Sequence, residues 1–195
     1  MLEGLLVDLV PMGRRLAELE HTWENSEAAF WGDMGDRQFF SRATVERHQA
    51  ERAESRARER SLGVPFGIQT KDGTPIGVFY LGLTLPYHRI AMLGIQIGEP
   101  DYWGGGYGTE ALLLAVDYAF GWLDLRRVWL MTMSLNARMM RSAEKAGFRL
   151  EARQREATVA DGVRHDALIY GLLREEWPGR AALIKKLGLR ARNED

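Results

Sequence analysis

The sequence predicts a single α/β domain built around a mixed β-sheet. Short β-rich runs alternate with helical patterns along the chain, and glycine-containing turns separate adjacent β-rich runs. A chain of 195 residues suits one ordinary domain. We therefore expect one domain over residues 1–195, with its core at about 5–177 and a tail or short helix at 178–195.

The predicted elements follow the order β-α-α-β-β-β-α-β-α-β-β. Leu5–Val10 is an apolar run closed by Pro11, which predicts the first strand, and Leu16–Trp23 has helical spacing. Thr44–Arg60 is charged and rich in helix formers. Because its arginines and glutamates alternate at about four-residue spacing, we interpret it as a solvated helix rather than a nucleic-acid-binding surface.

The rest of the chain is more strongly β-rich. Three strands are predicted first, and the first two are joined by a hairpin turn at Lys71–Gly73. A helix, a strand, a second helix ended by Gly147 and a last hairpin across Asp161–Gly162 follow. In order, these elements are Val64–Thr70, Pro75–Leu85, Ile90–Ile97, Gly108–Leu123, Arg127–Met133, Asn136–Ala146, Arg149–Ala160 and Val163–Leu173.

Composition excludes several classes of function. The sequence has no cysteine, which rules out thiol catalysis, thiolate metal sites and disulfides, and suits a reducing compartment. Its formal net charge of −1 gives no global positive field for nucleic acid. No apolar run approaches the roughly 18 residues of a membrane span, and the first residues do not resemble a signal peptide. We expect a cytoplasmic protein with no metal, nucleic-acid partner or membrane partner.

The loop at Trp103–Thr109 is the clearest candidate site. It joins a predicted strand to a predicted helix and contains four glycines: Gly104, Gly105, Gly106 and Gly108. Glycine lets the backbone approach a ligand closely, and a helix start offers unpaired N–H groups and the positive end of a dipole. The Thr109 hydroxyl adds a donor. This combination favours a phosphate group as the ligand.

Two familiar phosphate-binding motifs do not fit. A P-loop needs lysine after its last glycine, whereas Thr109 and Glu110 follow Gly108. A dinucleotide fingerprint starting at Gly104 needs glycine where Thr109 stands. A tight turn without a ligand stays the structural alternative, although so many glycines are entropically costly for a turn alone.

The loop and several later motifs resemble the GNAT superfamily of acyl-CoA N-acyltransferases, in particular its ribosomal-protein and diamine acetyltransferase-like branch. Trp103, Gly106 and Gly108 match the superfamily's loop positions, with Trp103 where glutamine or arginine is usual. Tyr102–Tyr107 resembles the branch's own version of the loop. Further matches follow in order at Thr109–Ala111, Val128–Leu130, Asn136, Glu144–Phe148 and Asp161–Gly162.

The resemblance implies a GNAT-like fold that transfers an acetyl group from acetyl-CoA to an amine. The amine would belong to a protein N-terminus, a polyamine or another small molecule. The resemblance also implies that strands Ile90–Ile97 and Arg127–Met133 splay apart to hold the pantetheine arm, and we expect a homodimer. The expected cofactor-binding residues are Gln96, Ile97, Gly98, Trp103, Gly104, Gly105, Gly106, Tyr107, Gly108, Thr109 and Asn136.

Four residues are candidates for the chemistry. Glu99 follows the cofactor strand and is a candidate base, and Glu156 lies on a strand that borders the acceptor pocket in related enzymes; either carboxylate is alternatively a solvated surface group. Asn136 would hold the cofactor arm or a water, or cap a helix. The superfamily often has tyrosine as general acid where this sequence has Ala143, so Ser142 beside it is a weaker candidate. The missing tyrosine leaves a non-catalytic CoA-binding sensor as the alternative function.

Overall fold

The computed structural model of the protein describes residues 1–36, 38–59 and 63–191. Its strands are β1 (Leu2–Glu3), β2 (Val7–Pro11), β3 (Val64–Thr70), β4 (Pro75–Leu85), β5 (Ile90–Ile97), β6 (Arg127–Met133), β7 (Arg149–Ala160) and β8 (Val163–Leu173). They form one sheet in the order β1-β2-β3-β4-β5-β6-β8-β7. Neighbouring strands are antiparallel except β5 and β6, which are parallel.

Helices cover both faces of the sheet. They are α1 (Arg14–Glu24), α2 (Glu27–Gly32), α3 (Arg42–Glu59), α4 (Tyr107–Gly121), α5 (Ala137–Lys145) and α6 (Arg180–Leu187). Leu16 of α1 lies against Gly67 of β3, whereas Gly108 of α4 lies near Ile95 and Ile97 of β5. Helices α1 and α2 therefore pack on one face and α4 on the other, where α5 and α6 contact α4. Within the described residues, no helix has the length and apolarity to cross a membrane.

The predicted α/β class and mixed sheet are confirmed, and the differences are local. The strand predicted at Leu5–Val10 is β2 and begins at Val7, and the short β1 precedes it. Glu27–Gly32 forms an additional helix that is too short for a periodic pattern to reveal. Ser26 caps that helix by accepting a hydrogen bond from the Ala28 N–H at 3.1 Å. Arg47 and Glu51 form an exposed i,i+4 pair on α3, as the charge pattern predicts. The end of the predicted helix, Arg60, lies outside the described residues.

Glu110 connects the start of α4 to the N-terminal segment. Its side chain is fully buried, and its carboxylate accepts hydrogen bonds from the backbone N–H groups of Leu5, Leu6 and Val7 at 2.6, 2.5 and 3.0 Å. The Leu5 and Leu6 N–H groups are thus bound to a side chain rather than to a neighbouring strand, and β2 begins at the next residue, Val7. Charge-assisted hydrogen bonds of this kind are strong, so Glu110 fixes the position of α4 relative to β2.

We predict that Glu110→Gln destabilises the protein by roughly 2 kcal/mol or more. The substitution removes the charge and replaces one acceptor oxygen with an amide N–H₂ group, which cannot accept a hydrogen bond from a backbone N–H group. Glu18→Gln is the control, because the Glu18 side chain is half exposed and forms a surface ion pair with Arg14 on α1. Urea unfolding of both variants measures the difference. Equal stabilities for the two variants would contradict the role assigned to Glu110.

Candidate active site

Strands β5 and β6 part soon after they meet. Their register pairs only Ile90 with Arg127, Ala91 with Val128 and Met92 with Trp129. Beyond this point β5 stays paired with β4, and β6 stays paired with β8. The expected V-shaped gap is therefore present, and backbone groups of β5 face it without a β6 partner.

The hydrogen bonds of β5 show which backbone groups face the gap. The Gly98 N–H donates to the Ile76 carbonyl at 2.8 Å, so Gly98 is directed at β4. The Ile97 carbonyl instead accepts from the Trp103 indole N–H at 2.8 Å. Because backbone groups alternate in direction along a strand, the Ile97 N–H faces the gap, whereas the backbone of Gln96 faces β4. The Gly98 N–H is therefore already used within the sheet, and a cofactor-binding role for Gly98 stays a prediction.

A cavity of about 200 Å³ lies in this gap, between α2, β5, the glycine loop and α5. Seven of the predicted cofactor-binding residues line it: Gln96, Ile97, Trp103, Gly104, Gly108, Thr109 and Asn136. Ser142 lines it as well. Gly98, Gly105, Gly106 and Tyr107 do not. Tyr107 is buried, and its ring stands edge-on to Tyr102 at 5.0 Å between centroids.

The glycines of the loop have different roles. Gly104 and Gly106 adopt positive φ angles of 82° and 91°, which other residues rarely adopt. A Cβ at Gly106 would point at Leu6 and Leu189, each 3.4 Å away, and so into the protein. A Cβ at Gly108 would lie 3.6 Å from the Ile97 side chain, beside the cavity. Gly106 is thus required by the turn, whereas Gly108 keeps space for a ligand.

Three cations on α5 were missed by the sequence analysis. Arg138, Arg141 and Lys145 line the cavity, and their spacing of three and four residues places them on one face of the helix. The described residues that line this cavity include no carboxylate, and no described carboxylate forms an ion pair with Arg141 or Lys145. Together with the start of α4, these charges make the cavity suited to an anion.

Arg138 is held between two aromatic rings. Its guanidinium carbon lies 4.2 Å from the centroid of the Trp103 ring and 4.9 Å from that of the Trp31 ring. Cation–π contacts of this kind restrict the position of the guanidinium group. The stack joins the glycine loop, α5 and α2 at the edge of the cavity.

Asn136 caps α5 and contacts α2. Its side-chain oxygen accepts from the Met139 N–H at 3.0 Å, and its amide nitrogen donates to the Trp31 carbonyl at 3.5 Å. The capping interpretation is therefore correct, and the side chain also borders the cavity. The Ser142 and Thr109 hydroxyls are 3.0 Å apart, so one donates to the other across the gap between α4 and α5.

Ala143 does not face the cavity. Its side chain is fully buried in the main core, whereas the preceding residue, Ser142, borders the cavity. The position at which the superfamily often has its tyrosine therefore lies in the core of this protein rather than at the cavity. Tyr102 has a hydroxyl group that the sequence analysis missed, and the residue lines the cavity. Burial raises the pKa of the Tyr102 phenol, with smaller effects from nearby acidic groups. Its phenol is protonated at neutral pH.

The two candidate glutamates lie apart from the cavity lining. Glu99 is on the α1 side, where its carboxylate accepts from the Trp23 indole N–H at 2.9 Å. Glu156 is exposed in an irregular part of β7, and its N–H donates to Asp166 at 3.0 Å. This hydrogen bond, together with Arg153, lowers the pKa of the Asp166 carboxyl. Glu156 is not among the described residues that line the cavity, and its catalytic role stays a prediction.

The chain matches known proteins over most of its length. The acetyltransferase (GNAT) domain family matches residues 10–149. YdaF of Bacillus subtilis (strain 168), whose name proposes a ribosomal N-acetyltransferase, is 32% identical over 117 residues, which are 60% of this chain and 63% of YdaF. YoaA of the same organism, named as an uncharacterized N-acetyltransferase, is 27% identical over 60% of this chain and 66% of its own length. The matches thus span just under two thirds of these relatives.

Solved structures share the fold. Spermidine N-acetyltransferase from Vibrio cholerae, in complex with CoA and spermine, gives a TM-score of 0.78 at 20% identity, covering 89% of this chain and 98% of that one. Mycobacterium smegmatis RimJ, in complex with CoA-disulfide, gives 0.76 at 23% identity, covering 93% and 89%. At these identities the likeness concerns the fold alone.

We predict that Ala143→Tyr destabilises the protein by about 2 kcal/mol or more, because the ring must enter a filled core. Ala137→Tyr is the matched control: Ala137 is exposed on the same helix, and surface substitutions usually stay within about 0.5 kcal/mol. Thermal unfolding of the two variants provides the comparison. If Ala143→Tyr were as stable as the control, position 143 would have to open toward the cavity after all.

Proposed function

This chain belongs to the GNAT acetyltransferase family, and from that premise we propose that it transfers an acetyl group from acetyl-CoA to a primary amine. The observation that carries the proposal is the cavity where β5 and β6 part, bordered by the glycine loop and three cations. A long anionic thioester needs both features: a slot beside unpaired backbone groups, and a positive region at one end of it.

In this proposal the pyrophosphate binds at the start of α4. Gly104 and Gly108 leave room for it, and the Thr109 hydroxyl and the first N–H groups of the helix donate to it. Arg141 and Lys145 supply positive charge from α5. The pantetheine arm follows β5 toward Ile97, where backbone groups have no β6 partner.

The proposed reaction is direct attack of a neutral amine on the thioester carbonyl. A C–N bond forms and the C–S bond breaks; the nitrogen loses a proton, and the CoA thiolate gains one. The Ile97 N–H, which faces the gap, stabilises the developing oxyanion. Glu99 accepts the amine proton through water from the α1 side, with Trp23 orienting its carboxylate. Water or Ser142 protonates the thiolate.

The acceptor is proposed to be a cationic molecule whose reacting amine loses a proton to solvent before its neutral nitrogen attacks. A second cavity, of about 640 Å³, lies beside the first and shares Trp31 with it. Among its described lining residues are the carboxylates of Glu24, Glu27, Asp36 and Asp161. Negative charge on this side suits a polyamine, a protein N-terminus or another small amine. We also propose a cytoplasmic homodimer, for which the exposed aromatic rings of Tyr87 and Trp122 offer an apolar surface.

A CoA-binding sensor without turnover is the second candidate. The observation that favours it is that position 143 is buried in the core and that none of the described residues of α5 lining the cavity is a tyrosine. Such a protein would bind CoA in the same cavity and release no thiol from acetyl-CoA.

We predict that CoA raises the thermal stability of the protein and that thiol release from acetyl-CoA depends on an added amine. A ligand at 100 times its dissociation constant adds about 2.7 kcal/mol of stability. A panel of a polyamine, a peptide with a free N-terminus and a small monoamine tests the acceptor. Stabilisation by ATP or NAD but not by CoA would contradict the proposal, and CoA binding without turnover on any amine would favour the sensor.

We predict that Gly108→Val weakens CoA binding by at least about tenfold, because the methyl groups project beside Ile97 into the space that the cofactor needs. Gly121→Val is the control: it lies at the other end of α4, with no atom within 4 Å of an added Cβ. Both variants place valine near an end of α4, and calorimetric affinities compare the effect at the site with the effect away from it. Equal affinities would place the phosphates away from Gly108.

A further inference from the structure

Gln96 carries a buried polar atom without a partner. Its side-chain nitrogen, Nε2, is inaccessible to solvent, and no described atom accepts a hydrogen bond from it. Most buried side-chain donors in folded proteins are satisfied, so each exception needs an explanation. Because Gln96 lines the cavity between β5 and α2, a bound molecule can supply the missing acceptor.

The position of the amide limits what that molecule is. Gln96 projects from β5 toward α2, on the face opposite to Ile95 and Ile97. A side chain beginning at Gly32 would come within 3.4 Å of the Gln96 carboxamide carbon, so the glycine of α2 leaves the carboxamide its space. Gln96 and Ile97 therefore line the same cavity as adjacent residues, with the buried Gln96 amide on its α2 side.

We propose that the Gln96 carboxamide is a second donor to the thioester oxygen, acting beside the Ile97 N–H. This inference rests on the proposed acetyl transfer. When the amine attacks, the C=O electron pair moves onto oxygen, and two donors stabilise the charge better than one. When the C–S bond breaks, the pair returns to re-form the carbonyl. No proton leaves the carboxamide, which stays neutral throughout.

In this proposal, the Gln96 amide lacks a hydrogen-bond acceptor in the free protein and finds one in the thioester oxygen during the reaction. Gln96→Met keeps the length of the side chain and removes both polar atoms. We expect kcat to fall by about 10- to 100-fold while the melting temperature stays equal or rises, because a buried orphan donor is lost. A purely structural glutamine predicts the opposite pattern, a lower melting temperature with kcat reduced only through unfolding.

Gln96→Glu distinguishes a donor from an acceptor at this position. A carboxylate has nearly the same shape but would oppose negative charge on the thioester oxygen, so we expect a larger loss of kcat than in Gln96→Met. If the glutamate variant matched or exceeded the parent, the group would be accepting a proton or hydrogen bond from the amine, and the proposal would be wrong. Gln69 is a half-buried residue of β3 that does not line the cavity, so Gln69→Met should leave kcat unchanged.

A binding experiment separates this proposal from the proposed function. Calorimetric titration with CoA and acetyl-CoA measures what the carbonyl adds to affinity, whether or not the protein turns over. We expect Gln96→Met to bind CoA like the parent and to lose at least about threefold in its preference for acetyl-CoA. An unchanged preference, or an equal loss of affinity for both ligands, would overturn the role of Gln96. Absence of turnover in the parent would overturn the proposed catalysis alone.

Discussion

The site depends on the incomplete pairing of β5 and β6. Every other neighbouring pair in the sheet is antiparallel, and this parallel pair holds together over only three registered positions. A parallel pair needs a crossover, which here contains α4, and the glycine loop at the start of that crossover lies at the open end of β5. One irregularity in the sheet therefore produces the slot, exposes the Ile97 N–H and positions the start of a helix beside both.

The start of α4 is stabilised from one side and accessible from the other. Glu110, in the first turn, is buried and bound by three N–H groups of the N-terminal segment. A carboxylate at this end of a helix also interacts favourably with the helix dipole. Gly108 and Thr109 of the same turn border the cavity. The helix terminus is thus held rigidly by the fold while part of its donor surface remains free for an anion.

The two faces of the sheet differ in charge, and β5 connects them. Its Ile95 and Ile97 side chains face α4, on the side that carries Arg141 and Lys145, whereas Gln96 faces α2. On the α2 side, the larger cavity is lined by carboxylates, and Trp31 borders both cavities. In the proposed reaction, this separation suits an anionic donor and a cationic acceptor that meet at β5.

Most of the fold and the glycine loop could be predicted from the sequence, because strand alternation, helical spacing and the conformational freedom of Gly104 and Gly106 depend on neighbours along the chain. The directions of side chains could not. Nothing local shows that Ala143 is buried while Ser142 borders the cavity, that the Gly98 N–H is used by β4, or that Glu156 lies on the outermost strand and is not among the described residues that line the cavity. Those facts follow from strand order, register and helix packing, which join residues far apart in sequence. Only the tertiary structure decides them.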